Sequence, residues 1–142
     1  MRHRIAPIGL ALLLAASTAR ADIAPEPDHG PQAGSAGGLD FAIQSFDVEM
    51  GPANGPHYHK TLQGVVLTGC TDGHPNCTLA KSRHLIGREV LTVDGHYLRP
   101  DIGRVQQIID AFADKTAGGT IAFEFPSRAA NTGPVKIVFA RR

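Results

Sequence analysis

Between residues 90 and 139 the chain orders its signals as strand, tight turn, short strand, helix and hairpin. That order restricts the possible folds more than any other feature. Val90, Leu91 and Val93 make an apolar, β-prone run, and Asp94-Gly95 supplies the left-handed backbone that a tight hairpin turn requires. Val105, Ile108 and Phe112 follow at spacings of three and four, which predicts a helix over 102–113 with that stripe turned to a sheet; Ile102 and Ile109 fall on a neighbouring stripe. Gly118-Gly119 ends the helix. Ile121, Phe123 and Phe125 then alternate inward, and a hairpin returns through 135–139.

Upstream, Phe41, Ile43, Phe46 and Val48 lie in one β-prone run whose alternation slips after Ile43, where a bulge or bend restores it. Residues 51–62, with Gly51-Pro52 and Asn54-Gly55-Pro56, read as a long loop. Residues 64–68 form a continuous apolar strand, and 79–84 fit one or two helical turns. The expected class is α+β.

Residues 1–21 have the build of a signal peptide: Arg2 and Arg4, an apolar run, and Ala19-Arg20-Ala21 as the cleavage pattern. The expected product is exported, periplasmic or secreted, with no later stretch reaching the roughly 18–20 apolar residues of a membrane span. Residues 22–37, rich in proline and glycine, are expected to be a flexible leader to a folded domain over 38–142. The full chain carries 14 Lys and Arg against 13 Asp and Glu; loss of Arg2, Arg4 and Arg20 leaves 11 against 13, a charge of −2. That balance gives nucleic acid or anionic lipid no foothold. The two cysteines, Cys70 and Cys77, are expected to pair in an oxidising compartment. Their spacing is not that of a redox Cys-x-x-Cys motif.

Two segments together resemble a PDZ domain of the bacterial periplasmic type. Gly64-Val65-Val66-Leu67-Thr68, the cysteine loop, Leu79-Ala80-Lys81 and then Gly87-Arg88-Glu89-Val90-Leu91-Thr92-Val93-Asp94-Gly95 are similar to the middle of that family, with Arg88 where an acidic residue is usual. Gly38-Leu39-Asp40-Phe41, followed by Ala42, Ile43 and Gln44, is similar to its Gly-Leu-Gly-Phe carboxylate-binding loop and pairing strand, with Asp40 as a departure. The resemblance implies a small, partly open antiparallel β-barrel or sandwich with one main and one short helix. It also implies a non-catalytic module that binds an extended or C-terminal peptide of an envelope protein by strand addition. Gly38, Leu39, Asp40 and Phe41 would form the terminal loop, Ala42, Ile43 and Gln44 the pairing edge, and Ile102, Gln106 and Ile109 the helix side of the groove. Ile102 at the head of the helix implies an apolar ligand preference. No cofactor is implied.

Other chemistry is less well supported. His57 and His59, two apart on an extended segment, point the same way, and with His74 they offer an alternative copper or zinc site. Gly51, His57, His59, Gln63 and Gly69 are also similar to a first cupin motif, but the second motif needs a histidine near 126–131 and has none. No Gly-x-Ser-x-Gly elbow or other spacing singles out a nucleophile with its base.

Overall fold

The structure, a computed structural model, describes residues 26–128 and 132–142. The expected signal peptide, 1–21, lies outside the described residues. The fold is α+β, with two helices and two antiparallel sheets that do not close into a barrel. The first sheet has the order β1-β2-β3-β4, from β1 (Ala33–Ala36), β2 (Leu39–Met50), β3 (Tyr58–Cys70) and β4 (Glu89–Val90). The second has the order β6-β5-β7-β8, from β5 (Thr92–Val93), β6 (His96–Tyr97), β7 (Thr120–Phe125) and β8 (Val135–Ala140). The helices are α1 (Pro75–Ser82) and α2 (Arg104–Ala113). Residues 26–45 and 63–142 form one compact unit, and residues 46–62 belong to another.

Three boundaries differ from expectation, and at the two helices a local reason is visible. β3 starts at Tyr58, inside the segment expected to be loop. α1 starts at Pro75, ahead of the helical turns expected over 79–84: proline suits the first helical position, where no N–H is needed, and His74 caps it by accepting the Asn76 N–H on Nδ1 at 3.1 Å. Gly103 has φ 89°, which no helix contains, so α2 begins at Arg104 and leaves Ile102 ahead of it.

The core centres on Phe123 of β7. Its ring lies 5.3 Å from Phe139, 5.7 Å from Phe41, 5.9 Å from Phe112 and 6.3 Å from Phe125. One side chain therefore joins β2, α2, β7 and β8. Leu39, Val65, Leu67, Val105 and Ile108 complete the same cluster, all fully buried. Burial of each such side chain contributes about 1.5–3 kcal/mol. Val105 and Ile108 are the predicted inward stripe of the helix, with Phe112 packed against the same core.

Two polar devices hold α1 in place. Cys70, the last residue of β3, is bonded to Cys77 on the helix, with Cα atoms 5.2 Å apart. Asn76, 2 % exposed, donates from Nδ2 to Gly37 O at 2.8 Å and to Ala140 O at 2.7 Å, while its Oδ1 accepts the Ala140 N–H at 2.9 Å. Replacing Asn76 by Ala leaves three main-chain groups without this partner. Urea unfolding of Asn76→Ala is expected to show a loss of about 2–3 kcal/mol. Reduction of the disulfide, or the paired Cys70→Ser and Cys77→Ser replacement, is expected to cost about 2–3 kcal/mol by the loop-closure argument, read as a lower urea midpoint.

Candidate functional site

The edge of β2 beside α2 is where a strand-binding groove was expected, and it carries β1. The pairing is antiparallel, with Ala33↔Ala42, Gly34↔Phe41, Ser35↔Asp40 and Ala36↔Leu39 in register, and the Ile43 N–H donates to Gln32 O at 2.8 Å. Gly37 and Gly38 join the strands with φ of 60° and 76°. Two consecutive positive φ values are what a two-residue hairpin turn demands, and adjacent glycines meet that demand without strain. Gly38-Leu39-Asp40-Phe41 is therefore the second half of a hairpin turn and the strand it starts, rather than an open loop.

β1 is wedged against α2. A Cβ added at Gly34 would lie 2.9 Å from both Val105 Cγ1 and Ile109 Cδ1, and one at Gly37 would lie 2.2 Å from the Phe112 ring. Only glycine admits this approach. Ahead of β1 the chain is pinned to the head of the helix. The Asp28 carboxylate, its side chain fully buried, accepts the Arg104 N–H and the Arg104 guanidinium on Oδ2, each at 3.1 Å. Gly103 cannot cap α2 itself, so a residue 76 positions away caps it. Gly30 and Gly103 touch backbone to backbone: a Cβ on Gly30 would fall 2.7 Å from Gly103 Cα. Residues 28–36 of the segment expected to be a flexible leader thus form a strap along α2.

The residues expected to bind a peptide have other partners. Leu39 and Phe41 are core, at 0 % and 1 % exposure. Asp40 accepts a hydrogen bond from the Ser35 hydroxyl at 2.6 Å, and Gly38 lies under the His74 ring. Ala42 and Ile43 face β1 in register or through the Ile43 N–H, while Gln44 is exposed. Ile109 packs on Gly34, Gln106 donates to Asp110 Oδ1 at 2.8 Å, and Ile102, 56 % exposed, stands outside the helix.

The residues of the alternative histidine site fall in two different units. In the unit of residues 46–62, His57 bonds through Nδ1 to Glu49 Oε1 at 2.7 Å and through Nε2 to Pro52 O at 2.8 Å, so both ring nitrogens are engaged. His59 is exposed beside it in sequence, and His74 belongs to the other unit, with Nδ1 spent on the helix cap. Among the described residues no group of three or more His, Cys, Asp or Glu side chains is placed to hold a metal.

The other flank of α2 is open. A cleft of about 640 Å³ lies between the helix and the β5–β6 hairpin, with Val93, Leu98 and Ala111 among its apolar lining and Asp94, Asp110 and Asp114 among its polar lining. Asp94 has φ 49°, accepts the Ala122 N–H at 2.8 Å and bonds Arg141 Nη2 at 3.0 Å, so this turn residue also fastens β5 to the chain end. The Thr116 hydroxyl and amide hold the Asp114 carboxyl below its ordinary pKa.

No protein-family model, curated protein or solved structure matches the chain. Asp28 had no sequence signal, since an aspartate in a proline-rich stretch gives no hint of a helix so far away. Asp28→Ala is expected to lower stability by about 1–2 kcal/mol, the range for a lost N-cap. It should also speed amide hydrogen exchange in residues 32–36 and at Arg104 before other strands respond.

Proposed function

We propose that this chain is an exported, non-catalytic, PDZ-like module that binds an extended or C-terminal peptide of an envelope protein by strand addition on β2. Its own residues 28–36 are the resident occupant of that slot, and a partner peptide enters by exchange with them. The observation that carries the reading is the seat of β1: a strand laid antiparallel on the β2 edge and packed on Val105 and Ile109 of α2. A slot that accommodates one strand has the geometry for another.

The energetics favour exchange over permanent closure. β1 reads Ala-Gly-Ser-Ala and buries almost no apolar side chain of its own. Its main-chain bonds are the same ones a partner strand would make. What keeps it in place is the short Gly37-Gly38 tether, which makes its effective concentration high, together with the Asp28 cap. A peptide that buries one terminal Val or Leu side chain adds about 1.5–3 kcal/mol, enough to compete once the cap is lost. The Cys70–Cys77 disulfide and the absence, among the described residues, of a helix long and apolar enough to cross a membrane are compatible with export.

The test is an NMR titration of a short peptide ending in a free valine carboxylate into wild type and into the strap-weakened pair Asp28→Ala and Gly34→Val. Binding to the pair is expected to be at least about tenfold tighter, the factor for 1.4 kcal/mol, with shifts at Leu39, Phe41, Ile43, Val105 and Ile109. If neither protein binds at millimolar peptide, or if the shifts fall elsewhere, strand addition on β2 is wrong.

A further inference from the structure

A free strand edge lies in the second sheet. β8 ends the order β6-β5-β7-β8 and pairs with β7 through Val135↔Phe125, Ile137↔Phe123 and Phe139↔Ile121. One step further, the Arg141 N–H donates to Gly119 O at 2.9 Å. Bonded rungs alternate in an antiparallel pair, so the main-chain groups of Lys136, Val138 and Ala140 turn away from β7. Those of Ala140 are met by Asn76, which accepts the N–H at 2.9 Å and donates to the carbonyl at 2.7 Å. One side-chain amide thus stands where the peptide group of a further strand would stand. Nothing among the described residues meets the outward groups of Lys136 and Val138.

α1 flanks this edge. A cleft of about 290 Å³ is lined by Leu79 and Arg83 from the helix and its end, and by Val135, Lys136, Ile137 and Val138 from the strand. Leu79 and Arg83 are four apart and share a helix face. Val135 and Val138 are 38 % and 48 % exposed. Arg83 and Lys136 have no ion-pair partner among the described residues. Glu124 lies opposite Lys136 in register, but its Oε1 accepts from the Thr92 hydroxyl at 2.7 Å.

We propose that the outer edge of β8 and the adjoining face of α1 form a second strand-accepting groove, whose occupant is an extended acidic segment of a partner protein. Unpaired main-chain groups at Lys136 and Val138 supply the rungs, the exposed valines the apolar contact, and Arg83 and Lys136 the charge that selects carboxylates. A second copy of this chain is a worse occupant. Two-fold pairing of β8 with itself would bring Arg83 and Lys136 of both copies into one place, and like charges there oppose association.

The probe is a short capped peptide alternating aspartate and valine, with a control in which lysine replaces aspartate. On binding, the Lys136 and Val138 amides of the wild-type protein should gain protection from hydrogen exchange, and resonances of Leu79, Arg83 and residues 135–138 should shift. The lysine peptide and the Arg83→Glu variant should each bind at least about tenfold more weakly than the aspartate peptide binds wild type. Val138→Pro deletes an outward N–H without touching a rung to β7, a position where an edge strand tolerates proline, and should abolish binding. Where that variant does not fold, the wild-type exchange measurement decides by itself. Asp28→Ala should leave this binding unchanged, which separates the groove from the slot on β2. Equal binding of the two peptides, shifts confined to β2 and α2, or protection of the two amides that rises with protein concentration alone would each overturn the proposal.

Discussion

One buried amide decides how two sheet edges are finished. Asn76 reaches Gly37 in the β1–β2 turn and both main-chain groups of Ala140 at the end of β8, so a single side chain on α1 ties the strap hairpin and the second sheet to the same helix. Its value comes from burial. At 2 % exposure the Asn76 amide has little water to turn to, and a lost partner leaves it with its desolvation cost unmet. The disulfide at the neighbouring Cys77 fixes the helix that aims the amide. Covalent and hydrogen-bonded constraints thus meet within two consecutive residues.

The strap shows how a strand with almost no side chains can still be held in place. Hydrophobic burial cannot do it, because Ala33, Gly34, Ser35 and Ala36 have little to bury. Close approach contributes beside the tether, at Gly30 against the Gly103 backbone and at Gly34 against the Val105 and Ile109 side chains, where an added Cβ would fall within 2.9 Å of its neighbours. Charge does the rest: Asp28, its side chain fully buried, meets the Arg104 N–H at the positive end of the helix dipole as well as the Arg104 guanidinium. A strap held by geometry and one cap, rather than by a broad apolar interface, is what the proposed exchange on the β2 edge requires.

What could be read in the sequence was local. The 105–108–112 stripe, the Asp94-Gly95 turn, the alternation over 121–125 and the Cys70–Cys77 pair all carry their signal within a few residues, and each has its counterpart in the structure. The seat of the strap was not readable. Proline and glycine normally mark an unstructured leader, and nothing near Asp28 or Gly30 reveals that a helix N-terminus 76 positions later lacks a cap of its own. At Gly38-Leu39-Asp40-Phe41 the preceding Gly37 matters as much as the motif itself, because two adjacent glycines with positive φ make a two-residue hairpin turn. Asn76 was likewise silent, an ordinary residue in the first turn of a short helix whose partners lie 39 and 64 positions away.

The two edges differ in how they are protected, and the difference has physical consequences. β2 is covered by a tethered strand, whereas among the described residues β8 is guarded along its middle by Lys136, and a lysine on an edge is a common defence against pairing with identical chains. Such a guard is selective, because it repels only cations. With Arg83 nearby, it disfavours a second copy of β8 while leaving the same main-chain groups available to a strand that brings carboxylates. Val138, nearly half exposed in the same cleft, would be a liability on an edge meant never to pair, since an exposed apolar residue beside free N–H and C=O groups invites association. An apolar contact flanked by like charges is better suited to choosing a partner than to refusing all of them.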